Sequence, residues 1–504
     1  MKALNEIIEE LIEYGKAHLD LSGYDVIYIR NILLKRVKED LPYLGDRDFS
    51  FVKDLEVPDV ILDDLKVALI EKGFEDVDLL IVEIMGLLTP MPSFVSEKVL
   101  RLEKEEPGKG LDYLFNLSIK NNYIQKTAID KNIYFKKEYE DNFIEITINL
   151  SKPEKKNSDI AKLLTKTQTV KYPKCLLCKE NLGYQGRADH PARGNIRYVP
   201  LTLMNQGWFL QYSPYAYFDH HAIIISEEHA NMTINDTTFV KLLEFTREFP
   251  TFFVGSNADL PIVGGSILNH EHYQGGLHLL PVFYCKDRKV YLQNDKLKVS
   301  VINWYNTVLR IEGKTIEDVA SKAQEIFHAW KDYEDRDAEI IAYAEDGTRH
   351  STITPIARKI GDTYQLNLIL RNNRCNEEHP DGIFHAHKEY HHIKQEGIGL
   401  IEAMGLFILP PRLKRQMSYV EEILVNHDDL EGYYKKYEDL SIHRHMIDSL
   451  VNDFGRGLTS ERAHEVVNDY IAHTCKSILC NTAVFKDDEN GRAALDRFMN
   501  TLGR

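Results

Sequence analysis

In NHEHYQGG, residues 269–276, His270, His272 and Gln274 occupy every second position and two glycines follow. Side chains at i, i+2 and i+4 of an extended chain share a face, so these three converge while Asn269, Glu271 and Tyr273 point the other way. Two imidazoles and an amide on one face could attack an electrophile or ligate a metal. They could equally be ordinary surface or core histidines, and the triplet alone does not choose. Gly275 and Gly276, with Gly264 and Gly265 upstream, remove side-chain bulk where a ligand could approach.

Two other stretches carry chemistry. In PKCLLCKENLGY, Cys175 and Cys178 have the spacing of two thiolates gripping one tetrahedral zinc, which needs two further donors, supplied by histidines. Two reduced, buried cysteines are the plainer alternative, and a thioredoxin-like pair lacks its βαβ surroundings. In ARGNIRYVP, Arg193, Asn195 and Arg197 offer guanidinium and amide donors to a phosphate or a nucleobase, next to an aromatic-rich stretch.

The elements that hold these residues can be read from texture. Leu4, Ile7, Ile8, Leu11 and Ile12 form a helical stripe, DVIYIRNILLKRV continues it, and prolines in LPYLG, EVPDV and LTPMPSF divide residues 1 to about 105 into separate helices. FIEITINL then alternates as a half-buried strand. Further strands are expected at 221–226, 251–256, 277–282, 298–305, 351–358 and 364–371, with helices at TTFVKLLEFTREF and IEDVASKAQEIFHAWKDY and again after about 390. The pattern is α+β with mainly antiparallel pairing, because no regular βαβ alternation occurs.

Composition narrows the class. A chain of 504 residues with 43% hydrophobic and 28% charged residues predicts about two or three globular units. No apolar run reaches the ~20 residues of a membrane span, and the N-terminus is too rich in glutamate for a secretory signal. Six cysteines are too few for a disulfide framework. These features predict a cytoplasmic protein with no membrane partner. A net charge of −16 opposes nucleic-acid binding and leaves a small molecule as the expected partner.

As an ordered set, YPKCLLCKENLGYQGR, DHPARGNIRYVPL, QYSPYAYFDHHAII, SNADLPIVGGSILNHEHYQGG, STITPIARK, LILRNN and PDGIFHAHKEYHHIKQEGIGLIEAMGLFILPPRLK resemble the galactose-1-phosphate uridylyltransferases in their longer bacterial form, type 2, a branch of the histidine triad superfamily. The resemblance implies two related α+β halves, at residues 126–295 and 296–504, with a helical N-terminal extension at 1–125 and a helical C-terminal end. It implies a ping-pong exchange in which UDP-glucose gives up glucose 1-phosphate and galactose 1-phosphate leaves as UDP-galactose.

By position, His272 is the implied nucleophile and Gln274 the holder of a phosphoryl oxygen. Cys175, Cys178, His229 and His270 are the implied ligands of a structural zinc, although His220 and His221 compete with His229. Arg193, Asn195, Arg197, Asn257, Ser266 and Lys394 are the expected substrate-binding residues. For Lys394 a solvated charged face is as plausible as a phosphate-facing one. A second metal site at His385 and His387, no organic cofactor and a homodimer complete the expectation. Glu271 stands where the short form has proline. A nucleotide phosphorylase of the same superfamily and a non-catalytic zinc-held sugar-nucleotide sensor are the alternatives.

Overall fold

Thirteen strands order the sheet regions of the computed structural model, which describes residues 2–150, 172–187, 189–265, 267–427 and 429–502. In chain order they are β1 (Ile133–Glu138), β2 (Phe143–Ile148), β3 (Val199–Leu203), β4 (Gln206–Tyr212), β5 (Ala222–Ser226), β6 (Phe253–Gly255) and β7 (His272–Gly276). Then come β8 (Asp287–Gln293), β9 (Leu297–Ile302), β10 (Val308–Gly313), β11 (Ser351–Ile360), β12 (Thr363–Asn372) and β13 (Leu406–Leu409). The fold is α+β, and every strand pair whose register is described is antiparallel except β2 with β13. No single helix among the described residues is long and apolar enough to cross a membrane.

The chain forms two compact units, each gathered from separated stretches. The first comprises Met1–Lys131, Lys155–Ala230 and His270–Leu277, and the second Asn132–Glu154, Asn231–Asn269 and His278–Arg504. The sequence boundaries at 125 and 295 are therefore not those of the compact units, because pairing partners come from distant parts of the chain.

In the first unit, helices Leu4–His18, Val26–Arg36, Asp59–Glu71, Val77–Leu88, Pro92–Glu105 and Lys109–Lys120 bury the expected stripe, with Ile8, Leu11 and Ile12 fully buried. They are more than an appendage. Tyr212 of β4 donates its hydroxyl to the Leu111 carbonyl at 2.9 Å, and Asn121 and Asn195 exchange side-chain amide bonds to each other's carbonyls at 2.6 and 3.0 Å. The unit's sheet has the order β3-β4-β5-β7. Met204 and Asn205, both at positive φ, make the two-residue β3–β4 turn that the right-handed twist of a hairpin favours.

In the second unit β6, β11, β12, β10, β9 and β8 follow one another, and β1, β2 and β13 form a separate three-stranded sheet. The helices Asp236–Glu248 and Ile316–Lys331 fall where periodicity predicts, and four longer helices, from Arg412–Val425 to Glu489–Met499, occupy the C-terminal end. The strand expected at 277–282 is absent. Its Pro281 instead opens the short 3-10 turn Pro281–Tyr284, where a missing N–H costs nothing.

Candidate functional site

Register builds the site. β5 pairs with β7 so that Ile225 faces His272, Ile224 faces Tyr273 and Ile223 faces Gln274. Alternation then puts His272 and Gln274 on one face and Tyr273 on the other, where its ring stacks on Trp208 at 4.8 Å and 16°. His270 precedes the strand. The backbone of Glu271 is tied on both sides, its N–H donating to Ala230 O at 2.7 Å and its carbonyl accepting from Ser226 N at 3.1 Å. Proline could not make the first of these bonds.

The sulfurs and imidazoles meet at one point. Cys175 Sγ lies 3.5 Å from Cys178 Sγ and 3.2 Å from His270 Nδ1, and Cys178 Sγ lies 3.1 Å from His229 Nδ1. All four ligand atoms fall within 4.8 Å of one another and could hold a metal ion. His270 Nε2 donates to Ser226 O at 2.9 Å, which leaves the Nδ1 lone pair turned toward the sulfurs. Burial pushes the Cys175 thiol up, so a thiolate here calls for a cation beside it.

Asn181, which nothing in the spacing singled out, braces the cysteine turn. Its Nδ2 donates to the carbonyls of Cys175 at 2.9 Å and Cys178 at 2.8 Å, and His190 Nε2 donates to its Oδ1 at 2.6 Å. Distance separates the three candidate histidines. His220 is bound to Asp112 at 2.9 Å and Asp219 at 2.8 Å, His221 reaches Gln274, and His229 reaches the cluster.

His272 is 6% exposed, and its Nδ1 lies 2.8 Å from the carbonyl of His270. A carbonyl only accepts, so Nδ1 carries the proton and Nε2 carries the lone pair. Burial pulls the imidazole down to about 4, with the His270 carbonyl opposing and the His270 ring adding to the effect. The ring is therefore neutral at pH 7.

Several expected binding residues are placed otherwise. Arg197 spends all five donors on backbone carbonyls: Nε on Pro90 at 2.6 Å, Nη1 on Gly194 and Ile196 at 3.1 and 2.8 Å, Nη2 on Gly86 and Thr89 at 3.1 and 2.9 Å. It caps the end of helix Val77–Leu88 and has no donor left for phosphate. Arg197→Ala is expected to cost about 3 kcal/mol or more by stranding buried carbonyls, read as a lower urea midpoint. An unchanged midpoint with a raised KM for the nucleotide substrate would return Arg197 to the site.

Asn195 is likewise buried in its exchange with Asn121. Arg193 is half-buried, gives one bond to Ala192 O at 3.2 Å and lies 5.8 Å from the Tyr123 ring centre, so it alone of the three keeps donors to offer among the described residues.

In the second unit, Asn257 accepts from Leu400 N at 2.8 Å and is 4% exposed. Lys394 is neither solvated nor phosphate-facing. It is buried against Glu402 at 3.1 Å and the Ile408 carbonyl at 3.0 Å. Burial alone would lower its pKa, but Glu402 and Glu396 outweigh it and hold it up. His385 Nε2 accepts from Ile398 N at 3.3 Å and His387 Nε2 donates to Ile383 O at 3.0 Å, so neither joins a metal cluster among the described residues. Ser266 lies outside the described residues.

Gly276 and Gly265 sit where packing leaves no room for a Cβ. A Cβ on Gly276 would stand 2.6 Å from the Phe218 ring and 2.8 Å from His220 O, and one on Gly265 would stand 2.7 Å from Asn257 Nδ2.

Residues 54–231 match the galactose-1-phosphate uridyl transferase N-terminal domain and residues 244–440 its C-terminal domain. A galactose-1-phosphate uridylyltransferase of Fusobacterium nucleatum is 40% identical over 99% of this chain and 98% of its own. One from Caldanaerobacter subterraneus is 39% identical over 98% and 97%, and one from Latilactobacillus sakei 40% over 94% of each.

Proposed function

Because the chain belongs to the galactose-1-phosphate uridylyltransferase family and so transfers uridylyl groups in galactose metabolism, we propose that it does this through a covalent uridylyl-His272. The observation that carries the proposal is the tautomer. With Nδ1–H held by the His270 carbonyl, the neutral ring keeps its lone pair on Nε2, the atom that would attack.

Nε2 attacks the α-phosphorus of UDP-glucose. The bond from that phosphorus to the bridging oxygen breaks, and the oxygen leaves with the electron pair as glucose 1-phosphate. The imidazole becomes cationic as the N–P bond forms, and the His270 carbonyl stabilises that charge through Nδ1–H. A phosphate oxygen of galactose 1-phosphate then attacks the same phosphorus, the N–P bond breaks, and UDP-galactose departs with the neutral ring restored. Gln274 holds a phosphoryl oxygen, and Arg193 is the guanidinium left to balance charge on the nucleotide.

Cys175, Cys178, His229 and His270 suit zinc. Tetrahedral bonds of about 2.3 Å to sulfur and 2.0–2.1 Å to nitrogen need sulfur–sulfur and sulfur–nitrogen separations of roughly 3.6–3.8 Å, and the Cys175–Cys178, Cys175–His270, Cys178–His229 and Cys178–His270 separations stand within about half an ångström of these. The ion would be structural, with its four positions filled by protein, and His270 would link it to the carbonyl that orients His272. A cytoplasmic homodimer is the accompanying reading from the family resemblance.

Mixing the protein with UDP-glucose alone should release one equivalent of glucose 1-phosphate and add one uridylyl mass to the peptide containing His272. Release only after an acceptor is supplied would overturn the covalent route.

A further inference from the structure

His221 lies one residue before β5, and the pairing of Ile223 with Gln274 makes it the diagonal neighbour of Gln274 on the face that carries His272. Its Nε2 stands 2.9 Å from Gln274 Oε1. The ring is 2% exposed, stacked on Tyr217 at 5.4 Å and 26° and packed against Phe218 at 4.5 Å. Its Nδ1 is buried with no hydrogen-bond partner among the described residues.

These contacts select one proton arrangement. An amide oxygen only accepts, so Nε2 carries the proton and Nδ1 is a bare lone pair among aromatic carbons. The other tautomer would bury an N–H without an acceptor and set the amide oxygen against a nitrogen lone pair, a costlier arrangement. Burial also draws the imidazole down to about 4, so the ring remains a neutral donor.

The orientation of a glutamine amide is otherwise weakly determined, since its two ends are alike in shape. With the oxygen tied back, the half-buried amide can present only N–H groups to an incoming anion. Turned the other way, it would present an oxygen and repel a phosphoryl oxygen. We infer that His221 is a positioning residue for uridylyl transfer, holding the Gln274 oxygen so that the amide nitrogen faces the phosphoryl group. The inference rests on the proposed role of Gln274.

The test uses the full-length, metal-loaded protein and the rate of uridylyl-His272 formation at saturating UDP-glucose, followed by intact mass after rapid quenching. His221→Phe keeps the stacked ring and removes the donor. It should slow the step by roughly 10- to 100-fold, as misplacement of a single contacting group does, while the UDP-glucose concentration at half-saturation moves by less than about 3-fold. His221→Gln can place an N–H near the original Nε2 and should recover most of the rate. In a Gln274→Ala background His221→Phe should have no further effect, because there is no amide left to orient.

Equal rates for His221→Phe and wild type, equal slowing by Phe and Gln, or a full additional loss in the Gln274→Ala background would each overturn the inference. If His221→Phe does not fold, His221→Leu reads the same cycle. Absence of any adduct on the wild-type protein would instead remove the underlying reading of His272, so the two failures are distinguishable.

Discussion

Replacing His272 with asparagine is expected to abolish uridylylation, with turnover falling by about 10⁴-fold or more. Asparagine has no lone pair comparable to imidazole Nε2, so no N–P bond can form. Its side-chain N–H₂ can still donate to the His270 carbonyl that His272 Nδ1 now serves at 2.8 Å. The metal cluster should therefore remain filled, the fold should be retained and UDP-glucose should still bind. Mass spectrometry after incubation with UDP-glucose gives the readout, with metal content and thermal melting as controls. A variant that still accumulates the adduct, or turns over within about 10-fold of wild type, would exclude His272 as nucleophile. A protein that only senses sugar nucleotides would lose nothing measurable, because it would have no turnover to lose.

The second large effect belongs to Cys178→Ser. Cys178 is 4% exposed and touches both histidines of the cluster, at 3.1 Å from His229 and 3.8 Å from His270. Serine is nearly isosteric but is a poor ligand for a soft ion. Stoichiometric metal should be lost and stability should fall by several kcal/mol. That is less than the ~10–16 kcal/mol of domains that fold only around zinc, since this unit has its own helical and sheet core. Turnover should fall by about 10-fold or more, because a loosened His270 no longer holds the carbonyl that orients His272. The pairing of outcomes is diagnostic: His272→Asn keeps the metal and loses the chemistry, whereas Cys178→Ser loses both. Unchanged metal content and melting in Cys178→Ser would show that these four side chains do not form a metal site.

What could be read before folding was local. A CxxC bite, an alternating H-x-H-x-Q and the helical stripe of residues 4–12 are set by spacings of a few residues, and backbone geometry alone translates them into a two-sulfur grip, a shared face and a buried stripe. The α+β class followed for the same reason, from where the period changes from helical to alternating. β13, of four residues, gave too little alternation to detect, whereas β6, of three, falls inside the run expected at 251–256. The 277–282 run imitated a strand until Pro281 turned it.

Which partner each polar side chain meets is set by contacts between segments distant in sequence, and there the tertiary structure decides. ARGNIRYVP carries three residues suited to a phosphate, yet Arg197 gives Nε and Nη2 to carbonyls of residues 86–90 and Asn195 is held by Asn121, both more than 70 positions away. Among His220, His221 and His229, equivalent candidates by type, register sends one to acidic side chains, one to Gln274 and one to the metal cluster. Lys394, in a run that looks solvated, is buried against Glu402. The sequence by itself determined the reagents, imidazole, thiols and an amide at working spacing, because those depend on residue type and short-range geometry. Their proton positions and orientations, His272 with its lone pair on Nε2 and Gln274 with its oxygen held by His221, came only with the tertiary fold. A hydrogen bond is specified by an atom on each side: for Gln274 the second atom is on His221, 53 positions away and just before β5, and for His272 it is a carbonyl two residues back whose approach depends on the backbone path into β7.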